Sequence, residues 1–251
     1  MNQDFWQRQT AGRALWPDVV WSKPERRDAA GKLLVVGGSK NGFTAVSGAF
    51  SLASKLGVGA VKVALPDALK KTLPPNLLDA IFLPSNPSGG LARGGLDDLI
   101  AAGNWADQIL LVGDSGQNSE TAILFEEFLR GCERPAVITR DAADLLRPAA
   151  NWLLSRPKTH LTLSFAQTQK LFREVLYPKM LTFSLNLSAV VDNLHKFTIT
   201  YPISLTIFHQ NNLIAAAGGQ VVSQKFYNPN RILDGKLATP VAAWQILAAD
   251  L

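Results

Sequence analysis

The chain is poor in the residues on which many small-protein chemistries rest. Cys132 is its single cysteine, which excludes a disulfide framework and a cysteine-rich metal site. A lone thiol with no arguable base beside it reads as a small core residue. The three histidines, His160, His195 and His209, are scattered and lack the spaced partners that metal ligation needs, so they read as ordinary core or surface residues. No apolar stretch reaches the about 18 residues of a membrane span, and no apolar h-region follows the N-terminus. A cytoplasmic protein with no membrane partner is expected. Charge is also sparse: 18% of residues are charged, with a net +5. That bias suits small anionic ligands, but no dense Lys/Arg run exists to follow a nucleic-acid backbone, and none is expected as a partner. Residues 23–27 and Lys70-Lys71 read as solvated faces.

What the chain does have is apolar residues, 47% of 251, enough to fill a sizeable core. One α/β domain spanning 1–251 is expected at this length. Its organising stretch is residues 32–65. Leu33 to Val36 is a continuous apolar run closed by Gly37-Gly38-Ser39, as for a strand buried on both faces. Val46, Ala49, Phe50, Ala53 and Leu56 then recur at helical spacing, Gly57 and Gly59 stop the helix, and residues 60–65 resume an apolar run. Strand, crossover helix and strand make a βαβ unit. The loop of residues 37–44 lies at the carboxyl end of its first strand, where open parallel sheets bind ligands.

Further strands are predicted at 80–83, 109–113, 136–139 and 160–163, with helices at 95–102, 120–129, 141–146 and 166–175, and a helix start at Pro66-Asp67. A helical pattern covers 179–194. Beyond it, 197–201, 203–208, 213–217 and 220–222 read as short runs without helices between them, turning at Gln210-Asn211-Asn212 and Gly218-Gly219. A closing helix is expected over 237–251, after a polar loop at 228–236. Residues 1–31 are irregular and carry Trp6, Trp16 and Trp21, so they are expected to pack on the domain or on a neighbouring subunit of a homo-oligomer. The result is a doubly wound, mostly parallel α/β sheet, helices on both faces, with a small antiparallel edge section. Asp114 and Asp141 fall at carboxyl ends of strands and face one crevice. Asn86 and Ser88, in a loop rich in Pro and Gly, are further candidate polar contacts. Gly57-Val58-Gly59 follows a helix, the reverse of a dinucleotide fingerprint, and residues 37–42 are not a P-loop.

Four stretches in this order resemble the NAD(P)H-hydrate dehydratase family of the ribokinase-like superfamily, also described as carbohydrate kinase-related. Residues 30–63 resemble its opening glycine-rich βαβ unit, and LLVGDSGQNSET at 110–121 resembles V-G-P-G-L-G-x-x-x-E-T. PAVITRDAADLL at 135–146 resembles P-x-V-L-D-A-D-A-L-N-L-L, with Asp141 on the second aspartate. HLTLSFAQTQKLF at 160–172 resembles L-T-P-H-P-G-E-x-x-R-L. The likeness covers about residues 30–250. It implies a ribokinase-like fold and ATP- or ADP-dependent repair of hydrated nicotinamide nucleotides: a ring hydroxyl is phosphorylated and phosphate is then lost. It also implies Mg²⁺ alongside the nucleotide, and NAD(P)H or its hydrate as substrate. Asp141 and Asp114 are then the candidate catalytic carboxylates. Gly37, Gly38, Ser39, Lys40, Asn41, Gly42, Gly113, Ser115 and Gly116 are the candidate nucleotide contacts.

The chain departs from the family at the chemistry. No Gly-x-Gly-Asp follows Leu237-Ala238-Thr239; Pro240 stands there without an N–H, and Asp234 precedes the match. Leu163-Ser164-Phe165-Ala166-Gln167 replaces P-H-P-G-E and loses both ionisable groups, Thr139 replaces the first aspartate of D-A-D, and His209-Gln210 stands where Lys-Gly is expected. Reduced or lost activity is the resulting expectation. Three readings stay open: a divergent nucleotide-dependent dehydratase or kinase, a catalytically dead nucleotide binder, and a non-catalytic oligomeric scaffold.

Overall fold

A computed structural model of the chain describes residues 4–9, 30–73, 79–228, 230, 234 and 236–247. Its strands are β1 (Trp6–Gln9), β2 (Lys32–Gly37), β3 (Ala60–Pro66), β4 (Ala80–Leu83), β5 (Gln108–Gly113), β6 (Ala136–Thr139), β7 (Thr159–Leu163), β8 (Ile203–His209), β9 (Asn212–Ala217) and β10 (Gln220–Lys225). They form one sheet in the order β1-β10-β9-β8-β7-β6-β5-β2-β3-β4. From β4 to β8 every pair is parallel; β8-β9 and β9-β10 are antiparallel hairpins. The turns fit their sequences. Gln210 and Asn211 have φ of 45° and 58°, Gly218 and Gly219 of 53° and 80°, the twist that two-residue hairpins require.

The helices are α1 (Thr44–Leu56), α2 (Leu96–Trp105), α3 (Ser119–Gly131), α4 (Arg140–Leu146), α5 (Ala150–Ser155), α6 (Phe165–Glu174), α7 (Leu187–Thr200) and α8 (Ala238–Leu247). Strand alternation divides them between two cores. Leu33, Val35, Val63 and Leu110 face α1 and α8, whose Ala49, Ala53, Ala242 and Ala243 are small enough for close approach. Leu34, Val36, Ile109 and Ile138 face the opposite side, where Leu99, Phe125, Leu146, Phe172 and Phe197 close the larger core. Strand order reverses between β2 and β5. That switch point opens a crevice beyond the carboxyl ends of the strands, and it positions the site described below.

Four expectations are corrected. The pattern at 179–194 is not one helix: α7 begins only at Leu187, where the Asn186 side chain accepts the Ala189 N–H. Residues 197–200 then continue α7 instead of starting a strand, because Val190, Leu194 and Phe197 keep helical spacing into the core. The start at Pro66-Asp67 yields only the 3₁₀ turn Asp67–Leu69. Within the irregular N-terminal segment, Trp6–Gln9 is a strand that adds parallel to β10, with Trp6 Nε1 donating to Ser223 Oγ at 2.8 Å. Trp16 and Trp21 lie outside the described residues, as does much of the 228–236 loop. Cys132 is fully buried in the larger core.

Candidate functional site

At the switch point two glycine turns touch. Gly38 N–H donates to Gly113 O at 2.9 Å, and a Cβ on Gly37 would stand 2.2 Å from that same carbonyl oxygen. Only hydrogen fits there. Residues 39–42 then close a tight hairpin, with Ser39 and Gly42 exchanging N–H to O bonds of 2.9 Å in both directions. Beside it, Asp114 and Arg140 both adopt left-handed φ, 58° and 56°. Each such residue costs about 1–3 kcal/mol and persists only where its surroundings over-determine it. Here an ion pair of 2.8 Å joins the two strained residues to each other.

These turns border an open cleft of about 740 Å³, lined in part by Ser39, Asn41, Thr44, Asp114, Arg140 and Lys170. Of the residues expected there, Ser39, Asn41, Gly42, Asp114, Gly116 and Asp141 line it. Gly37, Gly38 and Gly113 form the crossing beneath. Ser115 is buried, and the Lys40 side chain lies along Gly89. Asn86 is buried in a network of its own, donating to Leu91 O and Thr121 Oγ1, while Ser88 Oγ accepts from Asn118 Nδ2 at 2.8 Å.

Each carboxylate on the cleft already has partners. Asp141 accepts three main-chain N–H groups, from Asp114 at 2.9 Å, Ser115 at 2.7 Å and Gly116 at 3.1 Å. This is the anion-binding concavity of the 114–116 turn, filled from within. Asp114 Oδ2 accepts the Ala45 N–H at 2.7 Å in the first turn of α1, so the orphan donors of that helix are also partly satisfied internally. Both oxygens of each carboxylate are thus tied down, those of Asp114 by Ala45 N–H and Arg140 and those of Asp141 by the 114–116 turn. Asp144 accepts Gln167 Nε2 at 2.8 Å and stands 3.9 Å from Lys170 Nζ. A protein-held Mg²⁺ does not fit this donor set, since hard cations need oxygens that here face N–H groups and cationic side chains. Among the described residues no group of three or more His, Cys, Asp or Glu is placed to hold a metal.

Arg140, Asp144, Gln167 and Lys170 escaped the sequence reading. The signal was spacing: Asp141 and Asp144 are three apart on α4, Gln167 and Lys170 three apart on α6, each pair on the helix face turned to the cleft. Ser164 and Gln167, which replace ionisable residues of the resembled motif, form a capping box. Gln167 also donates to Arg140 O at 2.7 Å. In the motifs quoted above an Asn stands at 144 and a Glu at 167; here amide and carboxylate have changed places across one hydrogen bond.

Helix α8 runs toward the cleft with its N-terminus, because its far end meets the amino ends of β5 and β2: Gln108 Nε2 donates to Gln245 Oε1, and Ile246 sits against Gly31. That N-terminus is not an anion site of the resembled type. Ala238 and Thr239 are buried, Pro240 offers no N–H, and Asp234 is bound to Lys236 at 3.0 Å.

Solved structures share this architecture. A ribokinase-like superfamily protein from Enterococcus faecalis V583 superposes with a TM-score of 0.73 at 15% identity, over 98% of this chain and 82% of that one. The fold is ribokinase-like. The ADP/ATP-dependent NAD(P)H-hydrate dehydratase of Bacillus subtilis, crystallised with ATP/Mg²⁺ and soaked with CoA, shares the ribokinase-like fold at TM-score 0.58 and 14% identity, over 95% and 86% of the two chains. In sequence, the bifunctional NAD(P)H-hydrate repair enzyme Nnr of Moorella thermoacetica is 30% identical over 138 residues, 51% of this chain. The match spans only 26% of that protein's length. The resemblance to the NAD(P)H-hydrate dehydratases therefore holds in sequence and in fold. No protein-family model matches the chain.

All three histidines hold hydrogen bonds within the fold. His209 Nε2 bonds Leu185 O at 2.7 Å, and His195 bonds Gly219 O while stacking on Phe5. His160 lies between Ser204 Oγ and Thr206 Oγ1, 2.9 Å from each, and burial pushes its pKa down to about 4. Below pH 6.5 the unfolded chain takes up a proton that folded His160 refuses. Stability is therefore expected to fall as pH drops from 6.5 toward 4, by up to about 3 kcal/mol from this group. Urea unfolding at pH 7.5 and 4.5 should show this loss in the native chain, and His160→Gln should remove most of it.

Proposed function

We propose that the cleft binds an adenine or nicotinamide nucleotide and that the chain is a divergent, cytoplasmic relative of the ADP/ATP-dependent NAD(P)H-hydrate dehydratases with reduced or lost turnover. One observation carries the second half of this reading: all three carboxylates on the cleft already hold N–H or cationic partners, so none stands ready as a base. Loss of a positioned general base costs on the order of 10²- to 10⁴-fold in rate. Nucleotide binding is supported by the switch-point position, the concentrated backbone strain, and Lys170 and Asn41 on the cleft wall. Any Mg²⁺ would arrive with the nucleotide phosphates. Asp141 and Asp114 serve such a ligand by shaping the turns that hold it.

Calorimetric titration with Mg-ATP, ADP, NADH and NADPH tests the reading. Saturable binding of at least one nucleotide is expected, with turnover of hydrated NADH plus ATP slower than in active relatives by the factor above. Absence of binding to all four, in protein shown to be folded, sinks it. The oligomeric scaffold would then be favoured, for which one feature speaks: Leu176, Met180 and Phe183 are 88%, 74% and 64% exposed along a single loop.

A further inference from the structure

Away from the cleft, on the sheet face that carries α1 and α8, a second hollow of about 390 Å³ lies over β7 to β10. The sheet face on which it lies has an unusual composition, of which His160, Ser204 and Thr206 line the hollow itself. A buried sheet face ordinarily presents Val, Ile and Leu, and β2, β3 and β5 do so here. On β6, β7 and β8 the same face presents Thr139, Thr162 and Thr206 in one register row, and His160 beside Ser204 in the next. All but Ser204 are buried. The Thr162 hydroxyl is buried with no hydrogen-bond partner, next to Thr206 by register. Buried polar groups without partners are costly, and each calls for an explanation.

The walls are mostly apolar, with Ala215 and Val222 from the hairpins and Val241 and Trp244 from α8, and carry the neutral amides of Gln220 and Gln245. Among the described residues, His160 is the one ionisable side chain that lines the hollow. His160 has one ring nitrogen that donates and one that accepts, so of Ser204 and Thr206 one hydroxyl keeps its own hydrogen to offer and the other keeps lone pairs. The floor therefore addresses a ligand with one donor and one acceptor, while an ionised group would enter without a counter-charge at a cost of several kcal/mol. A concave, largely apolar site with a few convergent polar groups and an aromatic wall is the usual form of a small-molecule pocket. It is separate from the cleft, because Ser204 and the Gly218-Gly219 turn lie toward the amino end of β8, opposite the carboxyl ends that build the cleft.

We propose that this hollow is a second ligand site, for an uncharged, flat, mostly apolar molecule of about two fused rings, lying against the apolar wall of Val222 and Val241 and hydrogen-bonded to Ser204 and Thr206. The test uses the full chain with indole as the neutral probe and indole-3-acetate as its charged counterpart, read by calorimetry and saturation-transfer NMR. Saturable indole binding is expected, at least tenfold tighter than indole-3-acetate. Ala215→Phe, which fills the hollow from an accessible strand position, should weaken it at least tenfold, and Asp144→Asn in the cleft should leave it unchanged. If Ala215→Phe does not fold, Thr206→Val decides alone, with a drop of at least threefold expected. No saturable indole signal, equal affinity for the two probes, or indifference to these hollow variants in folded protein would each overturn the proposal.

Discussion

Asp141→Ala is expected to lower stability by about 4 kcal/mol and the melting temperature by roughly 10 °C, with loss of ligand binding in the cleft. The reason is that one carboxylate holds three successive N–H groups, those of Asp114, Ser115 and Gly116. Alanine leaves all three donors without it. Ser115 is 1% exposed, so water cannot replace the lost acceptor at the centre of the turn. The consequences spread, because the turn fixes Asp114, and Asp114 in turn holds Arg140 and the first turn of α1. Asp141→Asn keeps one carbonyl oxygen but sets an NH₂ against N–H donors, so an intermediate loss is expected. Thermal unfolding of the three proteins checks the order. A native-like melting temperature for Asp141→Ala would show that the carboxylate is not what holds the turn.

Gly37→Ala is expected to be comparably damaging, about 3–4 kcal/mol, through a different cause. The added methyl would stand 2.2 Å from Gly113 O and 3.2 Å from Val46 Cγ2. A flexible side chain could swing aside, but Gly113 O is main chain and accepts the Gly38 N–H that joins the two turns. Relief of the clash means parting β2 from β5 at their carboxyl ends. Overpacking of side chains alone costs about 1–3 kcal/mol, and displaced backbone adds to it. The control lies five residues on: a Cβ on Gly42 meets nothing within 4 Å, so Gly42→Ala should leave the midpoint of denaturant unfolding nearly unchanged. Equal effects at the two positions would mean that close approach does not explain Gly37.

Much of the framework was legible before any coordinate. Strands β2 to β6 announced themselves as largely apolar runs closed by a glycine, proline or polar residue, since burial on both faces leaves little room for alternation. The helices between them showed 3.6-residue spacing. What misled was local resemblance between patterns: residues 179–186 carry apolar residues at helical intervals, yet the helix waits for the Asn186 cap. Trp6–Gln9 has no strand signature of its own, because an edge strand reached from the far end of the chain is defined by its partner, β10. Of the cleft, the glycine turns, Asp114 and Asp141 were visible through their position at strand ends. Arg140, Asp144, Gln167 and Lys170 were not, being ordinary polar residues until two helices bring them to one wall.

The sequence by itself determined the ribokinase-like order of elements, the switch-point loop, and the absence of Gly-x-Gly-Asp after Thr239, because these depend on periodicity, glycine placement and residue identity along the chain. Only the tertiary structure decided what the carboxylates do. Whether an aspartate waits for a substrate or closes a turn depends on which N–H groups lie within about 3 Å of it. For Asp141 those groups come from residues more than two dozen positions away, joined to it by strand pairing that local sequence does not encode.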